Sequence, residues 1–230
     1  QVALREADQV LAGLCLAAQL AQFPDIETMI VERMPCNIIK GKADGISVRS
    51  MEMFQAFGFA GKVMRESNWI NETTFWATVA DAPGSSQGRS QADSPPSGGG
   101  GGHVPPPGGT LTRVARVQDV PDGISEMPHV LINQARVHDM FLDVMRNSPT
   151  RLAPDYGLKV IDLSVDPAAA DHPVTVTLEH TAPGREGRIA KVRANYVIGC
   201  DGARSNVRGA IGGALHGDAA HQAWGVMDVL

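Results

Sequence analysis

The chain has 230 residues, of which 43% are hydrophobic and 20% charged, with a formal net charge of -5. That is enough apolar content for a folded domain with a real core. The mild acidity and the absence of a basic run argue against nucleic-acid binding by bulk electrostatics. Cys15, Cys36 and Cys200 have neither metal-site nor disulfide spacing, so a reducing, cytoplasmic setting is expected. The longest apolar stretch, residues 10–23, is interrupted by Gln19 and Gln22 and is too short to span a bilayer. No signal-peptide pattern occurs. The first residue, Gln1, reads as a trimmed or partial sequence.

In chain order, residues 1–8 have little strand character. Leu11, Leu14, Cys15 and Ala18 recur at helical spacing and predict a helix over 11–22, stopped by Phe23-Pro24-Asp25. Residues 27–31 read as a short buried strand, giving half of a βαβ unit. A second helix is expected over 50–57, with Ser50 as N-cap and Gly58 as stop. A short helix is expected over 61–67, then a strand over 73–79. Residues 83–109 contain five consecutive glycines and Pro105-Pro106-Pro107. They lack the apolar area to offset chain entropy and read as a disordered surface insertion. Beyond it a strand ends near 130–133, and 136–146 is an amphipathic helix with Val137, Phe141, Val144 and Met145 on one face. Residues 158–165, 174–180, 188–192 and 196–198 read as strands, with a hairpin turn at 182–187.

Several residues could carry chemistry. Glu32 ends the second strand, 19 residues after Gly13. An acid there accepts hydrogen bonds from ribose hydroxyls in dinucleotide-binding folds, although an acid after a strand is also commonly just solvated. The string from Cys200 through Asp201-Gly202-Ala203-Arg204-Ser205-Asn206 to Arg208 leaves a strand and opens a helix. Gly202 permits a tight turn near a ligand, and Ser205 or Asn206 can cap the helix. Read alone, Asp44 is a turn residue before Gly45, Arg49 a surface helix-start residue and Gln134 the beginning of a helix.

In order, these stretches resemble the flavin-dependent aromatic hydroxylases of the p-hydroxybenzoate hydroxylase class, nearest the phenol 2-monooxygenase branch. The string at 200–208 resembles the family's DG motif. Residues 25–35 (DIETMIVERMP) resemble its second strand, with the acid and base at Glu32 and Arg33. Residues 43–58 (ADGISVRSMEMFQAFG) resemble the loop and helix that place an active-site aspartate, here Asp44, and an arginine near the flavin, here Arg49. Residues 131–142 (LINQARVHDMFL) resemble the helix whose glutamine contacts the flavin, here Gln134.

The resemblance implies an α/β fold: a partial Rossmann-like FAD-binding domain with an inserted β-meander and the start of a substrate domain. It implies FAD as cofactor and NADPH as co-substrate, with O2 and a phenolic small molecule as reactants. Asp44 would act near the phenol. Gly13, Glu32, Arg33, Arg49, Gln134, Asp201 and Gly202 would hold FAD, and NADPH would approach near Arg204. No nucleic-acid or membrane partner is expected, and a homodimer is compatible with a full-length form. The expected division is 1–82 and 110–215 for the flavin domain, 83–109 for the insertion and 216–230 for the start of a substrate domain.

The sequence departs from the family at both ends. Of the glycine turn that should hold the flavin pyrophosphate at a helix N-terminus, only Gly13 remains, with Asp8 and Val10 at the other two positions. The strand before it reads as replaced, suggesting an altered or misjoined N-terminus. His216-Gly217-Asp218-Ala219-Ala220-His221 lies too soon after the DG motif to be the second flavin motif. Residues 223–230 instead resemble the strand leading into the substrate domain. Three outcomes are therefore expected to compete: an aromatic-ring hydroxylase or a piece of one, a remnant that keeps the fold without turnover and with weak flavin affinity or none, and an incomplete gene product that does not fold stably.

Overall fold

A computed structural model describes residues 2–6, 10–38, 43–78, 110–218, 220, 221, 225 and 227. The first half contains β1 (Val2–Glu6), α1 (Val10–Leu20), β2 (Thr28–Glu32), β3 (Gly45–Ile46), α2 (Val48–Ala56), α3 (Ala60–Glu66), β4 (Asn68–Ile70) and β5 (Glu72–Thr78). The second contains β6 (Leu111–Gln118), β7 (His129–Leu131), α4 (Gln134–Arg146), β8 (Asp155–Tyr156), β9 (Leu158–Val165), β10 (Val174–His180), β11 (Ile189–Ala194), β12 (Tyr196–Cys200) and α5 (Asn206–Ala210).

The chain divides into two compact units. One is Gln1–Trp69 with Met127–Leu215, the other Ile70–Glu126 with His216–Leu230. The boundaries of these units fall at 69/70, 126/127 and 215/216. The insertion at 83–109 lies outside the described residues, as does most of the strand expected over 223–230. The described part of 216–221 forms neither helix nor strand. The second unit contains the antiparallel pair β5–β6, with a register shift between Phe75 and Trp76. β6 carried no recognised sequence signal.

The first unit is built on a parallel sheet in the order β12-β1-β2-β8. β1 pairs in parallel with both β12 and β2, which corrects the expectation that residues 1–8 lack a strand. Propensity is a weak guide here, because a central parallel strand is specified by its two neighbours. The meander β11-β10-β9 is antiparallel as expected, and β12 then returns the chain to the parallel sheet. A third small sheet has the order β3-β7-β4.

One core joins α1, α2, α3 and α4 to the parallel sheet: Leu14, Ala17, Ala18, Ile30, Met51, Phe54, Val63, Val137, Phe141 and Met145 are all buried in it. The alanines of α1 give it a thin face on which α4 can lie close. The C-terminal ends of these two helices are tied together, since the Thr150 amide and hydroxyl both donate to the Ala21 carbonyl, at 3.4 and 2.9 Å. Both helices thus start toward the same side.

Two helix starts differ from expectation. α2 begins at Val48 after Ser47, with Ser50 inside the helix. α4 begins at Gln134 because the Asn133 side chain accepts the Ala135 amide at 2.9 Å. The Gly58 stop of α2 holds, with Gly58 at φ +83° just past its C-cap Phe57.

Candidate functional site

Register aligns the carboxyl ends of three parallel strands. Glu6 of β1 stands opposite Glu32 of β2 on one side and Cys200 of β12 on the other. Ligands of open parallel α/β sheets bind beyond this edge, and the sequence puts Glu32 and the Asp201 turn there. Glu32 is 5% exposed, and its Oε1 accepts the Met34 amide at 2.8 Å. Arg33 is half-buried, its carbonyl accepting the Thr181 hydroxyl at 2.9 Å. The Met34 carbonyl accepts the Gly157 amide at 2.8 Å. The segment leaving β2 is thereby pinned to the residue before β9 and the residue after β10, which holds the Glu32 carboxylate at the edge.

α1 begins three residues after β1, and Gly13 is buried within it. Asp8, and the side chain of Val10, lie outside the described residues.

On the other side of β1, Cys200 ends β12 and the DG string turns into α5. Gly202 takes φ +70°, a left-handed conformation that favours glycine. Ser205 is the N-cap, its hydroxyl accepting the Arg208 amide at 2.9 Å. Arg204 is exposed in the turn. Gly199 was missed as a site-building residue: a Cβ there would sit 2.7 Å from Val207 Cβ, so its hydrogen lets α5 close onto β12. A glycine within a strand beside the motif is the signal that could have revealed it.

A second group surrounds the β3–β7 ladder. Gly45 pairs with Leu131 and Ile46 with Val130, and the Asp44 carbonyl accepts the Ile132 amide at 2.9 Å. This puts Asp44, which is exposed, at the end of the ladder from which the chain enters α4 at half-buried Gln134. Arg49, also exposed, leaves from the other end of β3 in the first turn of α2. The ladder therefore joins Asp44 to Gln134 more closely than either to Arg49.

One turn beyond Gln134, His138 is 1% exposed and its Nδ1 has no hydrogen-bond partner. Burial pushes the imidazole pKa below its usual value, opposed by Asp139, whose Oδ1 is 3.8 Å away. The folded state prefers neutral His138, so its contribution to stability is complete above the unfolded value of about 6.5. That contribution falls as pH drops from there toward the lowered folded value, by at most about 1.4 kcal/mol per pH unit. Melting from pH 7.5 to 5.5 should show this loss, and His138→Gln should remove it. An unchanged acid dependence in the variant would exclude His138 as its source.

Comparison with known proteins decides the family: the model described as FAD binding domain matches residues 10–230. The chain belongs to this FAD-binding domain family. It is 52% identical over 219 residues to 3-hydroxybenzoate 4-monooxygenase from Comamonas testosteroni, covering 95% of this chain and 30% of that protein. It is 33% identical over 222 residues to an FAD-dependent monooxygenase from Aspergillus terreus, covering 95% of this chain and 31% of that one. The fold resembles the crystal structure of the flavin-dependent monooxygenase PieE in complex with FAD and substrate, with TM-score 0.66 and 21% identity, over 94% of this chain and 32% of that one. The chain thus spans about 30% of the length of these curated relatives. Among the described residues, no helix is long and apolar enough to cross a membrane.

Proposed function

We propose that this chain is the flavin-binding portion of an NADPH-dependent monooxygenase that hydroxylates a phenolic ring, with a hydroxybenzoate as the favoured substrate class. The observation that carries the reading is the parallel edge with Glu32 on one flank of β1 and the Cys200–Gly202 turn on the other. The 52% identity to a 3-hydroxybenzoate 4-monooxygenase supports the choice of substrate.

The residues fit FAD at that edge. Glu32 is a buried carboxylate at the position suited to ribose hydroxyls, and Gly202 brings backbone close without a side chain. Arg33 extends the Glu32 corner, and Gly13 allows α1 to approach the pyrophosphate. Gln134 and Arg49 would border the flavin. When bound, FAD reduced by NADPH supplies the electrons that activate O2 and the route by which one oxygen atom reaches the ring. Asp44 would accept a hydrogen bond from the phenol hydroxyl and favour its deprotonation, while exposed Arg204 offers a cation to NADPH. A cytoplasmic location suits the NADPH supply.

A second reading, a remnant that keeps the fold without turnover and with weak flavin affinity or none, is favoured by Asp8 and Val10 at the glycine turn. One experiment separates the two. The purified chain is incubated with excess FAD, desalted, and examined by visible spectrum and by thermal melts with and without FAD. A ligand that binds only the folded state stabilises it by about 2.7 kcal/mol at a hundred times its dissociation constant. Retained yellow colour with a raised melt is expected, followed by NADPH oxidation stimulated by 3-hydroxybenzoate. Colour without stimulated oxidation would select the second reading. A cooperative melt with neither colour nor shift would rule out the first reading and select the second.

A further inference from the structure

Met140, Asp143, Val144 and Asn147 recur three and four residues apart, so they share one stripe along α4. Between this stripe and the turn that joins α2 to α3 lies a groove of about 350 Å³, walled by Phe57, Phe59, Met140 and Val144. That volume lies within the range of small-molecule sites, about 300–1,000 Å³. Phe59 and Met140 are buried, whereas Phe57 and Val144 are half-buried, so part of an apolar wall meets solvent here. The Phe57 ring meets Phe141 edge-on at 5.3 Å and Phe59 at 6.3 Å. Gly58, at φ +83°, has nothing within 4 Å of the place a Cβ would take, which leaves the mouth of the groove open.

Lys62 of α3, Asp143 and Asn147 complete the lining. Their pairing is uneven. The Asp143 carboxylate takes Arg146 at 2.9 Å but Lys62 only at 3.9 Å, the outer limit of an ion pair. Lys62 has no other ionic partner among the described residues. Asn147 spends its side-chain nitrogen on the Asp143 carbonyl at 2.8 Å, so its side-chain oxygen is left as an acceptor.

We propose that this groove is a second small-molecule site, which takes a single-ring aromatic carboxylate. The ring lies against Phe57 and Val144, the carboxylate meets Lys62, and a ring hydroxyl finds the Asn147 oxygen. Charge complementarity selects the carboxylate, because Lys62 is an under-paired cation. Asp143 is the opposing charge, and Arg146 offsets it at the shorter distance. The site is separate from the flavin edge: at about 1.5 Å rise per residue, Val144 lies about 15 Å along α4 from Gln134. It is near the end at which α4 is tied to α1. No residue of the groove is among those read as holding FAD. The site therefore stands whether or not that reading does, and only the choice of a hydroxybenzoate as probe rests on it.

An amide NMR titration of the full 230-residue chain, without FAD, tests it. 3-Hydroxybenzoate should shift the amides of Gly58, Lys62 and Val144 together, with a dissociation constant of about 1 mM, the scale for so small a ligand. Phenol lacks the carboxylate and cyclohexanecarboxylate lacks the aromatic ring, so each should bind about fivefold more weakly. Lys62→Gln should weaken 3-hydroxybenzoate by the same factor and leave phenol unchanged, while Lys62→Arg retains the affinity. Val144→Phe fills the groove and should abolish the shifts in a chain that still melts cooperatively. If that variant fails to fold, the two Lys62 variants decide alone. Shifts confined to Asp44 and Gln134 would overturn the second site and support the substrate reading instead. Groove shifts of equal strength for phenol, or unweakened in Lys62→Gln, would overturn the aromatic carboxylate as the ligand. No shift at concentrations far above that constant would overturn the proposal too. Binding at the groove in a chain that takes up no FAD would leave this site standing while the flavin reading fell.

Discussion

Phe141→Ala is expected to lower the unfolding free energy by about 3–5 kcal/mol, the range for truncating a buried aromatic side chain. Phe141 is fully buried on α4. It meets Phe54, Phe57 and Phe59 edge-on, with ring centroids 5.7, 5.3 and 5.1 Å away. Edge-to-face contacts of this kind add about 0.5–1.5 kcal/mol beyond area burial. The three partners come from α2 and the turn that follows it, so one ring joins α2 to α4. Those helices carry Arg49 and Gln134. A domain's net stability is only about 5–15 kcal/mol, so the variant should lose a large share of it and melt at a clearly lower temperature. FAD affinity should fall with it. Phe141→Leu keeps much of the volume and should cost less. Denaturant melts of the three proteins check the order, and equal midpoints for Phe141→Ala and the unaltered chain would show that this cluster does not join the helices.

Local signals were legible where one short pattern decides the outcome. The meander strands were found because apolar residues alternate and breakers separate them, as at Val174, Val176 and Leu178, which are buried. The capped turn at 200–208 was read correctly because Gly202 and Ser205 each serve a nearby backbone need. β1 was missed because its pairing with β2 and β12 is a property of distant segments. β8, two residues paired with the end of β2, is too short to leave a periodic trace. The direction of the Asp201 carboxylate was also hidden. Sequence spacing puts it next to the cofactor edge but does not show that it is buried, accepting the Ser205 hydroxyl and the amides of Asn206 and Val207. Asp44 and Gln134 could be ordered along the chain but not brought together until the register of β3 on β7 was known.

Replacing Asp8 and Val10 by glycine should tighten FAD binding more than any other change to this chain. In the family that the chain resembles, helix N-terminal amides after the first strand hold the flavin pyrophosphate, and the glycines admit it. α1 begins at Val10, directly after β1 and residues 7–9, and Gly13 is buried in it, so the helix is in the right place for such a contact. Asp8 would bring a carboxylate toward the phosphates. At about 4 Å and an effective dielectric of 20, that repulsion is roughly 4 kcal/mol, or about a thousandfold in dissociation constant. Screening and side-chain rotation reduce this, so a gain between about tenfold and a thousandfold is the expected result for Asp8→Gly with Val10→Gly. Asp8→Asn removes the charge alone and should recover most of the gain if repulsion dominates. Val10→Gly alone should recover most of it if the branched side chain is the obstacle. Glycine at both positions also costs about 0.5–1 kcal/mol per residue in chain entropy, so the melting temperature without FAD should fall slightly while the shift on adding FAD grows. Titrations of the four proteins with FAD, at low and high salt, separate charge from shape. Equal affinities across all four would mean that the pyrophosphate does not meet residues 8–13. The glycine-turn alignment would then be wrong, and the contacts to FAD would have to come from Glu32 and the turn after β12.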